Sequence, residues 1–150
     1  MATPLIPTLS KYMRRLPSYQ RFTYSIPSVL AASTSPRYEL LINSDEGTIE
    51  QLRINYPIAT DIKAFIFTSD LGARGTLEHL IETPVIADGC FSQGKLGILF
   101  ENTDPEVPST LDCDLDPKGV YKLYVEIDNT GVAATGIIEL ELFIQVNAAG

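Results

Sequence analysis

The stretch YKLYVEIDNTGVAATGIIELELFIQV, residues 121–146, decides the fold class. Tyr121, Leu123, Val125 and Ile127 alternate with Lys122, Tyr124, Glu126 and Asp128. After the turn-forming Asn129-Thr130-Gly131, Ile138, Leu140, Leu142, Ile144 and Val146 alternate with Glu139, Glu141 and Gln145. Side chains point to opposite faces at successive strand residues, so this period of two predicts strands with one face in a core and one toward water.

The same period extends backwards from that segment. Tyr38, Leu40 and Ile42 face one way, the turn Ser44-Asp45-Glu46-Gly47 follows, and Leu52, Ile54 and Tyr56 form a second apolar face. Read together, these two runs predict a β-hairpin. Residues 58–68 predict a strand with Ile62, Ala64 and Ile66 on one face, while Phe65 and Phe67 call for burial on the other. Residues 69–95 are the least regular. Leu77, Leu80 and Ile81 have helical spacing after Thr76, while Thr83–Ala87 reads instead as a short strand, so the segment is open between helix and strand. Leu96–Phe100 predicts a further strand, and 101–118 a long acidic loop. Many short strands, turn punctuation and little helix predict an all-β fold, an antiparallel β-sandwich or jelly roll.

The first 38 residues differ from the rest. They hold five basic residues, no acidic ones, five of the ten prolines and no glycine. The remaining 112 carry 6 basic and 19 acidic residues, so the chain divides into +5 and −13. Proline fixes φ and pushes its predecessor to extended conformations, which forbids a long helix here. The expected organisation is an extended basic N-terminal arm over 1–37 and an acidic sandwich domain over 38–150. A body of that length can bury one core without disulfide staples.

No catalytic, cofactor or metal residues are assigned. His79 is the sole histidine and has no nucleophile elbow to serve, so a boundary histidine is the expected reading. Asp112, Asp114 and Asp116 alternate as calcium ligands do, but Pro117 and Leu123 stand where an EF-hand loop needs glycine and glutamate. Cys90 and Cys113 have no zinc or redox spacing; reduced thiols are the expected reading, with a single bridge between them as the alternative. No apolar run reaches the roughly 18 residues that a membrane span requires. Arg14-Arg15 followed by Leu30-Ala31-Ala32 is a weak export pattern, interrupted by Arg21, Pro17 and Pro27.

In the arm, Tyr12, Tyr19, Phe22 and Tyr24 interleave with Arg14, Arg15 and Arg21, and these seven are the expected partner-binding residues. Three uses compete. Arginines and aromatics can grip single-stranded nucleic acid, but the acidic body disfavours it. The arm can fold back on its own body as edge strands. The expected use is docking on an acidic protein surface, another copy of the chain included.

An acidic β-sandwich with a basic extended arm resembles, in overall layout, structural proteins of tailed-phage virions: capsid cement or decoration proteins and small tail or baseplate components. The resemblance implies a non-enzymatic assembly protein, a homo-oligomer located in the virion after assembly in the host cytoplasm. Its partners would be other copies of itself, or a capsid or tail protein. The alternative is a β-sandwich ligand-binding module, for glycans or Ca²⁺-dependent adhesion, built on the 101–118 loop.

Overall fold

The computed structural model describes residues 3–5, 8–9, 19–42, 46–70, 72–101 and 122–146. Among these there is no helix. The strands are β1 (Thr3–Leu5), β2 (Thr8–Leu9), β3 (Tyr19–Ile26), β4 (Ser33–Thr34), β5 (Tyr38–Leu41) and β6 (Glu46–Asn55). They continue as β7 (Ile62–Phe67), β8 (His79–Glu82), β9 (Cys90–Gln93), β10 (Ile98–Glu101), β11 (Lys122–Asn129) and β12 (Ile138–Val146).

Two six-stranded sheets face each other. One runs β1-β5-β11-β7-β8, with β4 also paired to β11; the other runs β10-β6-β12-β3-β2, with β9 also on β6. Strands β9 and β10 lie in line along β6, so they act as one strand broken at 94–97. Leaving aside β1, β2 and β4, the chain visits the sheets in the order β3, β5, β6, β7-β8, β9/β10, β11, β12. The resulting ladders, β5-β11-β7-β8 and β3-β12-β6-β9/β10, are antiparallel throughout. This is the interleaved double Greek key of a jelly roll, one of the two architectures the alternation predicts.

The core is built from the residues that period two selects. Ile138, Leu140, Leu142 and Ile144 of β12 are fully buried, as are Leu123, Val125 and Ile127 of β11. Tyr38, Leu40 and Ile42 meet Ile49, Leu52, Ile54 and Tyr56 in the same cluster. The expected hairpin is not formed, however, because β5 and β6 belong to opposite sheets. Alternation shows that each run buries one face; it does not say whether the two runs lie side by side or face to face. In β6, Ile49 and Leu52 are both inward although three apart. An extra residue at Glu50 shifts the register opposite Phe143 and Ile144, as a β-bulge does. The neighbouring strand breaks at the same level, where Leu96 N donates to Glu50 O at 2.9 Å.

Of the two readings of 69–95, the helical one at 77–81 is not formed. His79–Glu82 is a strand on β7, and Leu77 projects into solvent. A helix of one turn has little stability in water, while the open edge of β7 offers a ladder. Burial on both faces of β7 holds as expected. Phe65 and Phe67, with Tyr124, form a second cluster on the outer face of the first sheet. Its cover is cationic: the Arg37 guanidinium lies 3.8 Å from the Phe67 ring centre and that of Arg74 3.6 Å from Phe65. Arg37 Nη1 also donates to the carbonyls of Ser69 (3.2 Å), Asp70 (3.0 Å) and Gly72 (2.6 Å), tying the β7–β8 loop down. Cation–π contacts of this kind add to the aromatic burial beneath them.

The largest departure from the sequence expectation concerns the second half of the arm. Tyr19–Ile26 is a strand inside the second sheet, paired over eight residues with β12 and flanked on its other side by β2. Phe22, Tyr24, Ile26 and Val29 are buried in the main core. The Tyr24 hydroxyl donates to Leu41 O at 2.7 Å, joining the two sheets. Burial pushes the Tyr24 phenol well above its ordinary pKa. The neutral form is therefore the folded one. Its contribution is complete below the ordinary phenol pKa of about 10 and is lost as pH rises toward the folded value. Tyr24→Phe is expected to cost about 1 kcal/mol at neutral pH and to move the onset of alkaline unfolding upward. Circular dichroism across an alkaline titration checks both; an unchanged onset would remove Tyr24 as the titrating group.

Candidate functional site

The structure separates the seven residues expected to bind a partner. Tyr12, Arg14 and Arg15 lie outside the described residues. Tyr19 opens β3, and nothing is described of its side chain. Phe22 and Tyr24, 1% and 0% exposed, cannot reach a partner and are corrected to core residues. Arg21 is on the outer face of the second sheet, where Glu141 sits between Arg21 Nε (3.7 Å) and Arg53 Nη1 (3.2 Å). Opposite charges on adjacent strands support the register there. The signal for β3 was present in the sequence: Phe22, Tyr24 and Ile26 alternate with Arg21, Thr23 and Ser25.

His79 packs its ring against Phe67 and Phe65, at centroid distances of 5.1 and 5.6 Å. Its Nδ1 accepts from Gly75 N at 3.0 Å, which leaves Nε2 to carry the proton toward Ile81 O at 3.1 Å. Both ring nitrogens are thus occupied by backbone. Cys90 is an exposed thiol. Asp112, Asp114, Asp116 and Cys113 lie outside the described residues.

What the structure brings together is one end of the sandwich. The loops 27–37, 56–61, 83–89 and 130–137 join β3 to β5, β6 to β7, β8 to β9 and β11 to β12, and all four emerge there. Their anchor is Asn129, the last residue of β11 and fully buried. Its Nδ2 donates to Val29 O (3.0 Å), Leu30 O (3.1 Å) and Ala133 O (2.8 Å). Its Oδ1 accepts from Thr60 Oγ1 (3.2 Å) and Gly131 N (3.0 Å). One amide therefore holds three of the four loops. Thr135 Oγ1 accepts from Val29 N at 3.1 Å, and Ile58 N donates to Thr135 O at 3.2 Å. The fourth loop joins through Tyr56, whose hydroxyl lies 2.8 Å from Thr60 O and 2.9 Å from Ile86 O, and whose N–H donates to Gly89 O at 2.9 Å.

Two glycines allow the loops to approach this closely. A Cβ at Gly131 would fall 1.8 Å from Thr60 Oγ1. One at Gly136, where φ is +76°, would fall 2.4 Å from Pro57 Cγ. Buried polar networks with every member satisfied hold one conformation. The end is thus a fixed surface rather than a set of mobile tips.

On that surface stand Leu30 (68% exposed), Ile58 (45%), Val85 (57%), Val132 (98%) and Ile137 (62%). Beside them a shallow, open cleft of about 390 Å³ is lined by Asn55, Tyr56, Pro57, Gly89, Ile137 and Glu139. The four loops contain three charged side chains, Arg37, Asp61 and Asp88, in a chain that is 20% charged, and Arg37 is turned away onto Phe67 and the β7–β8 loop. Sequence reading missed this surface because its residues lie in four loops separated by whole strands. Loops with apolar, charge-free stretches such as Val29-Leu30-Ala31-Ala32 and Gly131-Val132-Ala133-Ala134 were the available signal. No protein-family model matches the chain, and no curated protein is significantly similar to it.

Proposed function

We propose that the chain is a non-enzymatic structural protein of a virus particle, a capsid cement or decoration protein or a small tail or baseplate component, which docks on neighbouring subunits through the residues before Tyr19. The supporting observation is the way that segment meets the sandwich. Strand β1 lies parallel on β5 over three residues, and β2 adds two residues to β3. The segment therefore straps one sheet edge to the other by backbone pairing, with Thr3 and Pro4 exposed. Backbone pairing at an edge is indifferent to which copy supplies the strand, so the same strap can be laid on a neighbour. Between β2 and β3, residues 10–18 carry Lys11, Arg14 and Arg15, the charge complement of an acidic body. In this reading the partner is another copy or a capsid or tail protein, and the place of action is the virion.

The open cleft favours a glycan-binding module as a second reading. It offers Asn55 and Glu139 as polar groups, but its aromatic ring, Tyr56, is 6% exposed and gives a sugar no stacking face. Assembly is therefore the preferred reading.

The test is the double charge reversal Arg14→Glu/Arg15→Glu in the full chain, with mass measured by light scattering at low and high salt. Loss of a salt-sensitive association is the expected result. A mass unchanged from wild type at both ionic strengths removes the arm as the docking device.

A further inference from the structure

We propose that the loop end carrying Leu30, Ile58, Val132 and Ile137 is the face through which two copies of this chain meet. The proposal rests on the assembly reading above and adds a second contact to it, one that does not use the arm.

The side chains form one neighbourhood. Ala32 N donates to Gly131 O at 3.2 Å, setting the Leu30 loop against Val132. Gly136 lies against Pro57 and Ile58, and Gly131 against Thr60, so the β6–β7 loop touches both ends of the β11–β12 loop. The Asn129 and Thr135 network fixes these positions in the free molecule, so little ordering entropy opposes contact. Contiguous exposed apolar groups on a rigid frame mark an interaction surface.

Charge selects the occupant. A lipid surface is met by apolar loops flanked with lysine and arginine, and the four loops contain only Arg37, whose guanidinium is engaged by Phe67 and the carbonyls of Ser69, Asp70 and Gly72. A glycan needs exposed aromatic faces, and the exposed side chains here are aliphatic. A partner of opposite net charge would be recognised through charged side chains, which are few at this end: Asp61, Asp88 and, in the cleft, Glu139. A second copy is different. Both molecules carry a net charge of −8 and repel through most of their surfaces. The charge-poor end is where two equally acidic bodies approach with least repulsion, and loss of charge at the centre of a patch is the compositional mark of an interface core.

The experiment is light scattering on the full chain over a concentration series, comparing wild type with Val132→Glu/Ile137→Glu. Both side chains are exposed, so the fold is retained, and unchanged circular dichroism verifies it. Leu77→Glu, equally exposed on the β7–β8 loop, is the charge control. The expected result is self-association in high salt, where the arm contact is screened, that survives Leu77→Glu and Arg14→Glu/Arg15→Glu and drops to the monomer mass in the double loop variant. A wild type that stays monomeric in high salt at every concentration overturns the proposal, as does a loop variant that still associates there. Binding to neutral phosphatidylcholine vesicles without self-association also overturns it, in favour of lipid. Association abolished by the arm reversal alone would keep the arm and discard the loop end.

Discussion

A chain begun at Tyr38 is expected not to fold, although the change in composition near that residue marks it as the start of the globular part. Such a truncation removes β3, and with it Phe22, Tyr24, Ile26 and Val29 from the main core. At roughly 1.5–3 kcal/mol for each large apolar side chain, the four together are worth on the order of 6–12 kcal/mol. That is the size of the whole stability of an ordinary domain, about 5–15 kcal/mol. The loss also strips the eight-residue ladder from β12, turning the central hydrophobic strand of the second sheet into a bare edge. Aggregation on expression, or a circular dichroism spectrum without β signal, is the anticipated outcome. A chain begun at Tyr19 keeps these residues and should melt cooperatively. A cooperative transition in the Tyr38 chain would show that β3 is dispensable.

Asn129 should be the most sensitive position at the loop end, and Asn129→Ala shows why. It leaves the carbonyls of Val29, Leu30 and Ala133 without their shared donor and Thr60 Oγ1 without its acceptor. An unsatisfied buried polar group costs about 1–3 kcal/mol, and some of these groups can recover a partner by relaxing. A net loss of about 3–5 kcal/mol follows, read as a lower denaturant midpoint with little change in slope. Hydrogen exchange should also quicken at the amides of Val29, Gly131 and Thr135, which the network now shields. Asn129→Asp is the sharper variant: it keeps the acceptor, but places a carboxylate where three carbonyl oxygens converge, so it should fall below the alanine variant in stability. Equal stability of wild type and both variants would mean that the network follows the loop conformation rather than setting it.

Strand faces were legible because they are local. Period two picked out the inward residues of β11 and β12, and two-sided burial of β7 could be read from Phe65 and Phe67 beside Ile62, Ala64 and Ile66. Strand partners were not legible, since a jelly roll passes consecutive strands between sheets. The apolar faces of Tyr38–Ile42 and Leu52–Tyr56 look the same whether adjacent or opposed. The arm misled for a different reason. Proline and arginine content dominated the reading of 1–37, while the alternation of Phe22, Tyr24 and Ile26 inside it obeyed the rule that identified β12. The loop-end network was out of reach because its members, from Ser28 to Gly136, are joined by tertiary hydrogen bonds and not by spacing.

The break between β9 and β10 has a consequence for crowding. A long bare strand edge recruits strands from other molecules and seeds cross-β stacking. Here the described sheet borders are β1, β2, β8 and the β9–β10 pair, in pieces of two to four residues. At the break, Lys95 and Gly97 turn left-handed, so the two halves of that border cannot act as one template. Among the described residues, molecules packed at high local density therefore meet only short border strands, too short to propagate a fibril.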